Sequence, residues 1–168
     1  MRLLLFAFYL GSILLDAFLS CSGSGTPAPE KSMRFTLDGT EYDASANLSG
    51  RTRNDSIMVG TYAPQSAPAP SLGIDLRFPK AVGTYNLAVP AAGSATLTTY
   101  VYGANTQSTV TEKYYAGTKA GTVYGSGTVT VDSYTEGTVT GTFSFTAQHL
   151  GSGVTKIISG GRFSVQVQ

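Results

Sequence analysis

Acidic and imidazole side chains are the first candidates for chemistry, because hydrolases use them as acids, bases and nucleophile partners. The only histidine, His149, follows a strand-like segment, and no Gly-x-Ser-x-Gly turn leads from a strand into a helix. Glu41 and Asp43 lie two residues apart, which puts both carboxylates on one face of a strand, as in a glycosidase pair. Tyr42 and Ala44 occupy the opposite, apolar face, so the carboxylates are predicted to face solvent. The sequence therefore predicts no catalytic residue and no enzyme.

Composition argues against metal, cofactor and nucleic-acid binding. The 168 residues include one cysteine and one histidine, too few for a site built from several thiolates or imidazoles. Only Asn54-Asp55 and Asp38-Gly39 approach the dense acidic loop that calcium binding requires. The formal net charge is +1, whereas a nucleic-acid binder needs clustered basic charge. We therefore predict no metal, no cofactor and no nucleic-acid partner.

Aromatic residues are the most distinctive candidates for binding. The chain has 10 tyrosines, 8 phenylalanines and no tryptophan. Tyr100 and Tyr102 share one face of a predicted strand, and Leu97 and Val101 share the other. If the aliphatic face points inward, the tyrosines point outward and could stack on sugar rings or on a protein partner. If the strand faces the other way, the tyrosines are half-buried residues of the core. The further tyrosines of adjacent segments are Tyr114, Tyr115 and Tyr124, the first two of which join the predicted stacking set.

Apolar and polar residues alternate with a period of two through the body of the chain, and no segment shows helical spacing. Leu72, Ile74, Leu76 and Phe78 are one such series. The pattern predicts an all-β fold, an antiparallel β-sandwich of about nine or ten strands, with a closed up-and-down β-barrel as the alternative. Residues 121–132 are predicted to be one strand, joined through a turn at residues 132–137 to the next. Gly141 and Gly160-Gly161 predict bulges.

The N-terminus has the features of an export signal. Met1-Arg2 precedes a non-ionic run from Leu3 to Leu15, which is shorter than the roughly 20 residues that cross a bilayer. The only cysteine, Cys21, follows this run, an arrangement that resembles a bacterial lipoprotein signal, in which the cysteine becomes the acylated first residue. An ordinary signal peptide with an incidental cysteine is the alternative. We predict a signal peptide over residues 1–20, a lipidated cysteine and flexible tether over 21–32, and an all-β domain over 33–168.

Strand-and-turn motifs mark both ends of the predicted domain. Residues 127–131 read GTVTV, residues 137–147 read GTVTGTFSFTA, residues 161–165 read GRFSV, and residues 35–39 read FTLDG. These motifs resemble an uncharacterised lipoprotein-domain family of Bacteroidota-type bacteria, a domain of unknown function. The resemblance implies an all-β domain and no assigned activity. Asp55-Ser56-Ile57 is similar to an O-glycosylation acceptor of exported proteins in such bacteria, and this similarity implies that Ser56 is modified. The alternative is an ordinary turn into a strand.

These observations lead to one functional expectation with two alternatives. We expect a non-catalytic envelope lipoprotein, held in the membrane, most simply the outer membrane, by palmitate-like acyl chains on Cys21. Its β-domain is expected to bind a protein or glycan partner. A structural or assembly role without a small ligand is the alternative, and a hydrolase using His149 or a carboxylate pair is less favoured. Which face of the membrane carries the domain stays open.

Overall fold

The computed structural model describes residues 30–62, 71–102 and 108–168, and most of these are in β-strands. The predicted signal peptide, Cys21 and most of the tether lie outside the described residues. A short 3-10 turn spans Ser45–Asn47. The strands in this part of the chain are β1 (Ser32–Leu37), β2 (Thr40–Asp43), β3 (Ser49–Arg53), β4 (Ser56–Tyr62), β5 (Ser71–Pro79), β6 (Gly83–Asn86), β7 (Ser94–Tyr102), β8 (Ser108–Lys119), β9 (Thr122–Tyr124), β10 (Ser126–Thr135), β11 (Thr138–His149) and β12 (Thr155–Gln166).

The strands form one curled antiparallel sheet, a half-barrel, which confirms the predicted all-β fold. Nine of them follow a continuous path, β2-β1-β12-β11-β8-β7-β5-β4-β3. The sheet divides at β11: one edge of this strand pairs with β12, and the other pairs first with β10 and then, at Gln148 and His149, with β8. Because β11 forms hydrogen bonds with both halves, the strands belong to one forked sheet. The sequence had left two alternatives open, a two-sheet sandwich and a closed barrel.

The fork produces two limbs that face each other across a single core. The first limb is β6-β10-β11-β12-β1-β2, and the second limb is β9-β8-β7-β5-β4-β3. Phe78 of the second limb packs against Phe163 of the first, with ring centroids 5.6 Å apart. Along β11, buried Val139, Phe143 and Phe145 alternate with more exposed threonines and serines. The period-two pattern thus buries one face of each limb and leaves hydroxyl groups on the outside.

The end of β12 meets β3 and joins the two limbs a second time. Gly50 and Val167 form an isolated parallel bridge. The Thr52 backbone N–H donates to the Gln168 carbonyl oxygen at 2.8 Å, and the Gln168 N–H donates to the Gly50 carbonyl at 3.3 Å. The described sheet is therefore connected both at β11 and at β3.

The two predicted bulges have different outcomes. Around Ser159 and Gly160, β12 changes its pairing register with both of its neighbours, β1 and β11. Gly160 has a φ of +60°, so the bulge predicted at Gly160-Gly161 is confirmed. Gly141 instead stays in register opposite Phe163, and the shift nearby falls on β10 between Val131 and Ser133. Gly141 is needed for another reason: a Cβ at this position would lie 2.1 Å from the Thr130 carbonyl oxygen.

Candidate functional site

Tyr100 and Tyr115 lie on the outer face of the second limb, where Tyr124 contacts Tyr115. Leu97 marks the inner face of β7. Leu97 is fully buried in the core. The register in which β7 pairs with β8 shifts between Thr99 and Tyr100. The half-buried Tyr100 ring covers Gly73, where a Cβ would lie 2.9 Å from the ring carbon Cε2. Tyr100 thus lies over a glycine of the neighbouring strand, and the side chain of Tyr102 lies outside the described residues.

Tyr114 requires a correction, because it belongs to the core. Its side chain is 3% exposed, and its backbone lies opposite Leu97 on the inner face. The hydroxyl donates to the Glu112 carboxylate at 2.7 Å. Burial, followed by that carboxylate, raises the pKa of Tyr114 to about 12. Adjacent residues of a strand face opposite sides, so Tyr114 and Tyr115 cannot both be exposed stacking residues.

Tyr115 lies on the outer face and contacts a second aromatic residue. Its ring meets Tyr124 of β9 edge to face, with centroids 6.3 Å apart and an interplanar angle of 82°. Its hydroxyl donates to the Thr118 carbonyl at 3.4 Å. Gly125, with a φ of +58°, allows the chain to turn from β9 into β10 beside this pair. Both rings are half-buried, so each keeps part of its surface accessible.

A pocket of about 210 Å³ opens beside Tyr115. Its lining residues from the strands are Ser56, Arg77, Phe78, Pro79, Ser94, Tyr115 and Thr118, and Ala91 and Gly93 contribute from the loop before β7. We call this the Tyr115 pocket. Arg77 is exposed and forms no ion pair with a described residue. The Thr118 hydroxyl is buried, and among the described residues it has no hydrogen-bond partner.

Ser56, the predicted glycosylation residue, begins β4 directly after a tight turn. Asn54 in this turn has a φ of +53°, a conformation that asparagine adopts more readily than most residues. Ser56 is half-buried between Arg53 and Pro79 in the sheet, and it lines the Tyr115 pocket. Its modification remains a prediction from the sequence.

His149 ends β11, where its ring is held by the following loop. Nδ1 accepts hydrogen bonds from the Ser152 backbone N–H at 2.9 Å and the Gly151 N–H at 3.3 Å. In that arrangement the proton of the neutral ring resides on Nε2. The ring also meets Tyr114 edge to face at 5.4 Å. His149 therefore has a structural partner on each side at the end of its strand.

Glu41 and Asp43 are both exposed, as the alternation predicted, and they line a separate, shallow pocket of about 510 Å³ on β1 and β2. Asp43 accepts from the Ser45 hydroxyl and from Arg34 Nε, the latter at 3.0 Å. The Ser45 hydrogen bonds, and secondarily Arg34, hold the pKa of Asp43 below its ordinary value. The Asp43 carboxylate is thus already satisfied by neighbours of its own chain.

Sequence reasoning identified Tyr115 but missed Arg77 and Thr118. Arg77 sits in an ordinary alternating strand, and Thr118 is one of many threonines, so nothing local distinguished them. They meet only because β5 and β8 both pair with β7.

The described residues contain no group of three or more side chains placed to hold a metal ion. They also contain no helix that is long and apolar enough to span a membrane. No protein family, no curated protein and no solved structure matches this chain.

Proposed function

We propose that the protein is a non-catalytic lipoprotein of the bacterial envelope, whose β-domain binds a protein or glycan partner through the outer face of its second limb. The export signal and Cys21 support anchoring in a membrane by acyl chains. Stable anchoring takes more than one acyl chain, and a lipidated N-terminal cysteine can carry several. The tether then separates the domain from the bilayer.

One observation carries the binding proposal: the Tyr115–Tyr124 pair stands at a polar pocket on the outside of the sheet. Tyrosine offers a flat apolar ring for a sugar or an apolar side chain, together with a hydroxyl group. A residue needed only for the core would face inward, as Tyr114 does. The partially exposed rings are therefore available to a partner.

The catalytic alternative has less support. His149 is tied to its own loop, and Asp43 is tied to Ser45 and Arg34. The titratable neighbour of His149 is Tyr114, whose hydroxyl is already bonded to Glu112, and the Glu41 that shares a pocket with Asp43 is exposed to solvent. These contacts favour a binding role over hydrolysis.

The binding proposal is tested by cross-linking the domain to extracts of envelope proteins and glycans. Tyr115→Ala should lower partner capture at least several-fold without unfolding the domain. Tyr85→Ala, which removes a half-buried tyrosine from the other limb, is the control and should retain capture. Equal capture by the wild type and Tyr115→Ala would contradict the proposed face. A partner set made only of envelope structural proteins would favour the assembly role.

Anchoring is tested by feeding cells a clickable palmitate analogue. The wild type should acquire label and fractionate with the outer membrane, and Cys21→Ala should acquire none. An unlabelled wild-type protein would overturn the lipoprotein assignment and favour an ordinary signal peptide.

A further inference from the structure

The Tyr115 pocket is built from four strands and a loop that passes close to them. Arg77 of β5 and Ser94 of β7 are a directly opposed pair, Tyr115 and Thr118 come from β8, and Ser56 comes from β4. A Cβ on Gly93 would lie 2.6 Å from the Arg77 carbonyl oxygen, so only glycine lets the loop approach this closely. The pocket wall therefore depends on defined backbone contacts.

The Arg77 guanidinium is the charged group of the pocket. Asp75 lies two residues away on the same face, but the cations that act on its carboxylate are Lys113 and Arg51. The ion pairs of the described residues are Arg34–Asp43 and Lys156–Asp38, so Arg77 has no acidic partner among them. Its five N–H donors are suited to a planar carboxylate.

Thr118 contributes to the pocket wall, but its hydroxyl does not open into it. Its Oγ1 is buried without a hydrogen-bond partner in the described chain. Because that oxygen has almost no accessible surface, the hydroxyl destabilises the fold and is out of reach of a ligand in the pocket. Ser56 and Ser94 add two more hydroxyl groups to the same wall.

Building on the proposed function, we propose that the Tyr115 pocket binds a sugar residue that carries a carboxylate. The acid group would bond to Arg77, a sugar hydroxyl to Ser94, and an apolar face of the ring would lie against Tyr115. A cation, a hydroxyl and an aromatic ring in a small pocket match this combination of groups. A neutral sugar would leave the charge of Arg77 without a counter-ion.

The test measures binding of trigalacturonate and of galactotriose, which differ in their carboxylates, by calorimetry at low ionic strength. Trigalacturonate should bind more tightly than galactotriose. Arg77→Gln should weaken trigalacturonate binding about 10- to 100-fold, the loss expected when a charged hydrogen bond is removed. Arg51→Gln is the matched control, because Arg51 is an exposed arginine on the outer face of the same limb and does not line the pocket. The affinity of this variant for trigalacturonate should stay within about twofold of the wild type.

Thr118→Val tests the buried hydroxyl of the pocket wall. Valine has nearly the same shape and removes the unpaired hydroxyl, so the ligand-free variant should melt at a higher temperature than the wild type and bind trigalacturonate with unchanged affinity. A lower melting temperature would contradict an unpaired hydroxyl at this position.

The outcomes distinguish this inference from the proposed function. Equal affinity for both trisaccharides, unchanged by Arg77→Gln, would overturn the acidic sugar but keep a glycan site. Binding of neither trisaccharide would overturn the inference, whereas the proposed function fails only if Tyr115-dependent capture from envelope extracts is also absent.

Discussion

At the residue scale, two phenylalanines face two glycines across β11 and β12. Phe143 lies directly opposite Gly161, and Gly141 lies directly opposite Phe163. A Cβ on Gly161 would lie 2.5 Å from the Phe143 ring, and one on Gly141 would lie 2.6 Å from the Phe163 ring. Each ring thus covers the backbone of a glycine in the neighbouring strand, an arrangement that protects glycine within a sheet. The GTVTGTFSFTA and GRFSV motifs are therefore packing motifs.

We expect Gly161→Ala to destabilise the domain by about 1–3 kcal/mol, the usual cost of overpacking a core. Urea denaturation measures the loss. Gly151→Ala is the control, because a Cβ there would make only ordinary contact with His149 at 3.5 Å. Combining Gly161→Ala with Phe143→Leu should cost less than the sum of the two single changes, since the ring that clashes is gone. Additive costs would contradict direct contact between the ring and position 161.

At the element scale, Asp38 ties the β1–β2 turn to β12. Its carboxylate accepts from the Ile157 N–H at 3.0 Å and from Lys156 Nζ at 2.8 Å. The backbone hydrogen bond, then Lys156, holds the pKa of Asp38 below its ordinary value of 3.8. A carboxyl whose folded pKa is depressed stabilises the fold above its unfolded pKa, and this contribution disappears as the pH falls through the folded pKa.

Asp38→Asn should therefore destabilise the domain at pH 7 by about 1 kcal/mol or less, since the ion pair is solvent-exposed. The difference from the wild type should shrink as the pH falls below 3.8, the ordinary value of the carboxyl. Urea titrations at several pH values measure this trend. Glu41→Gln, on the exposed face of neighbouring β2, should show no such convergence. A constant difference across the pH range would contradict an ionised Asp38 as the stabilising group.

Most strands followed the alternation, but β3 was not predicted, and residues 121–132 form two strands instead of the one predicted. In the second case, β9 ends at Tyr124 and β10 begins at Ser126. Gly125 separates them because its φ is +58° and a Cβ there would overlap the Thr146 carbonyl. That contact comes from β11, 21 residues further along the chain, so the periodicity within residues 121–132 does not reveal it.

At the scale of the whole molecule, the junction of β3 with the end of β12 holds the two limbs together opposite the fork. A Cβ on Gly50 would lie 2.7 Å from both the Gln166 carbonyl oxygen and Val167 Cγ1. Position 50 must therefore lack a side chain for the two strands to meet. The Thr52 N–H, which bonds to the Gln168 carbonyl, reports on this junction.

We expect Gly50→Ala to open this junction and to destabilise the domain by about 1–3 kcal/mol. The amide of Thr52 should exchange with solvent markedly faster, whereas amides between β10 and β11 should change only as far as global stability falls. Gly151→Ala, where a Cβ would make only ordinary contact far from this junction, serves as the control. Unchanged exchange at Thr52 would contradict the contact at Gly50.

The amino-acid sequence by itself determined most of the strands, their inward faces and the β10–β11 hairpin, because period-two alternation and turn residues act between close neighbours in the chain. Tertiary structure alone decided that the strands form one forked half-barrel, that Tyr114 is buried while Tyr115 is not, and that Arg77 and Thr118 border the same pocket. Those outcomes depend on which strand pairs with which, and at what register. Such pairings join residues tens of positions apart, where no local pattern records the partner.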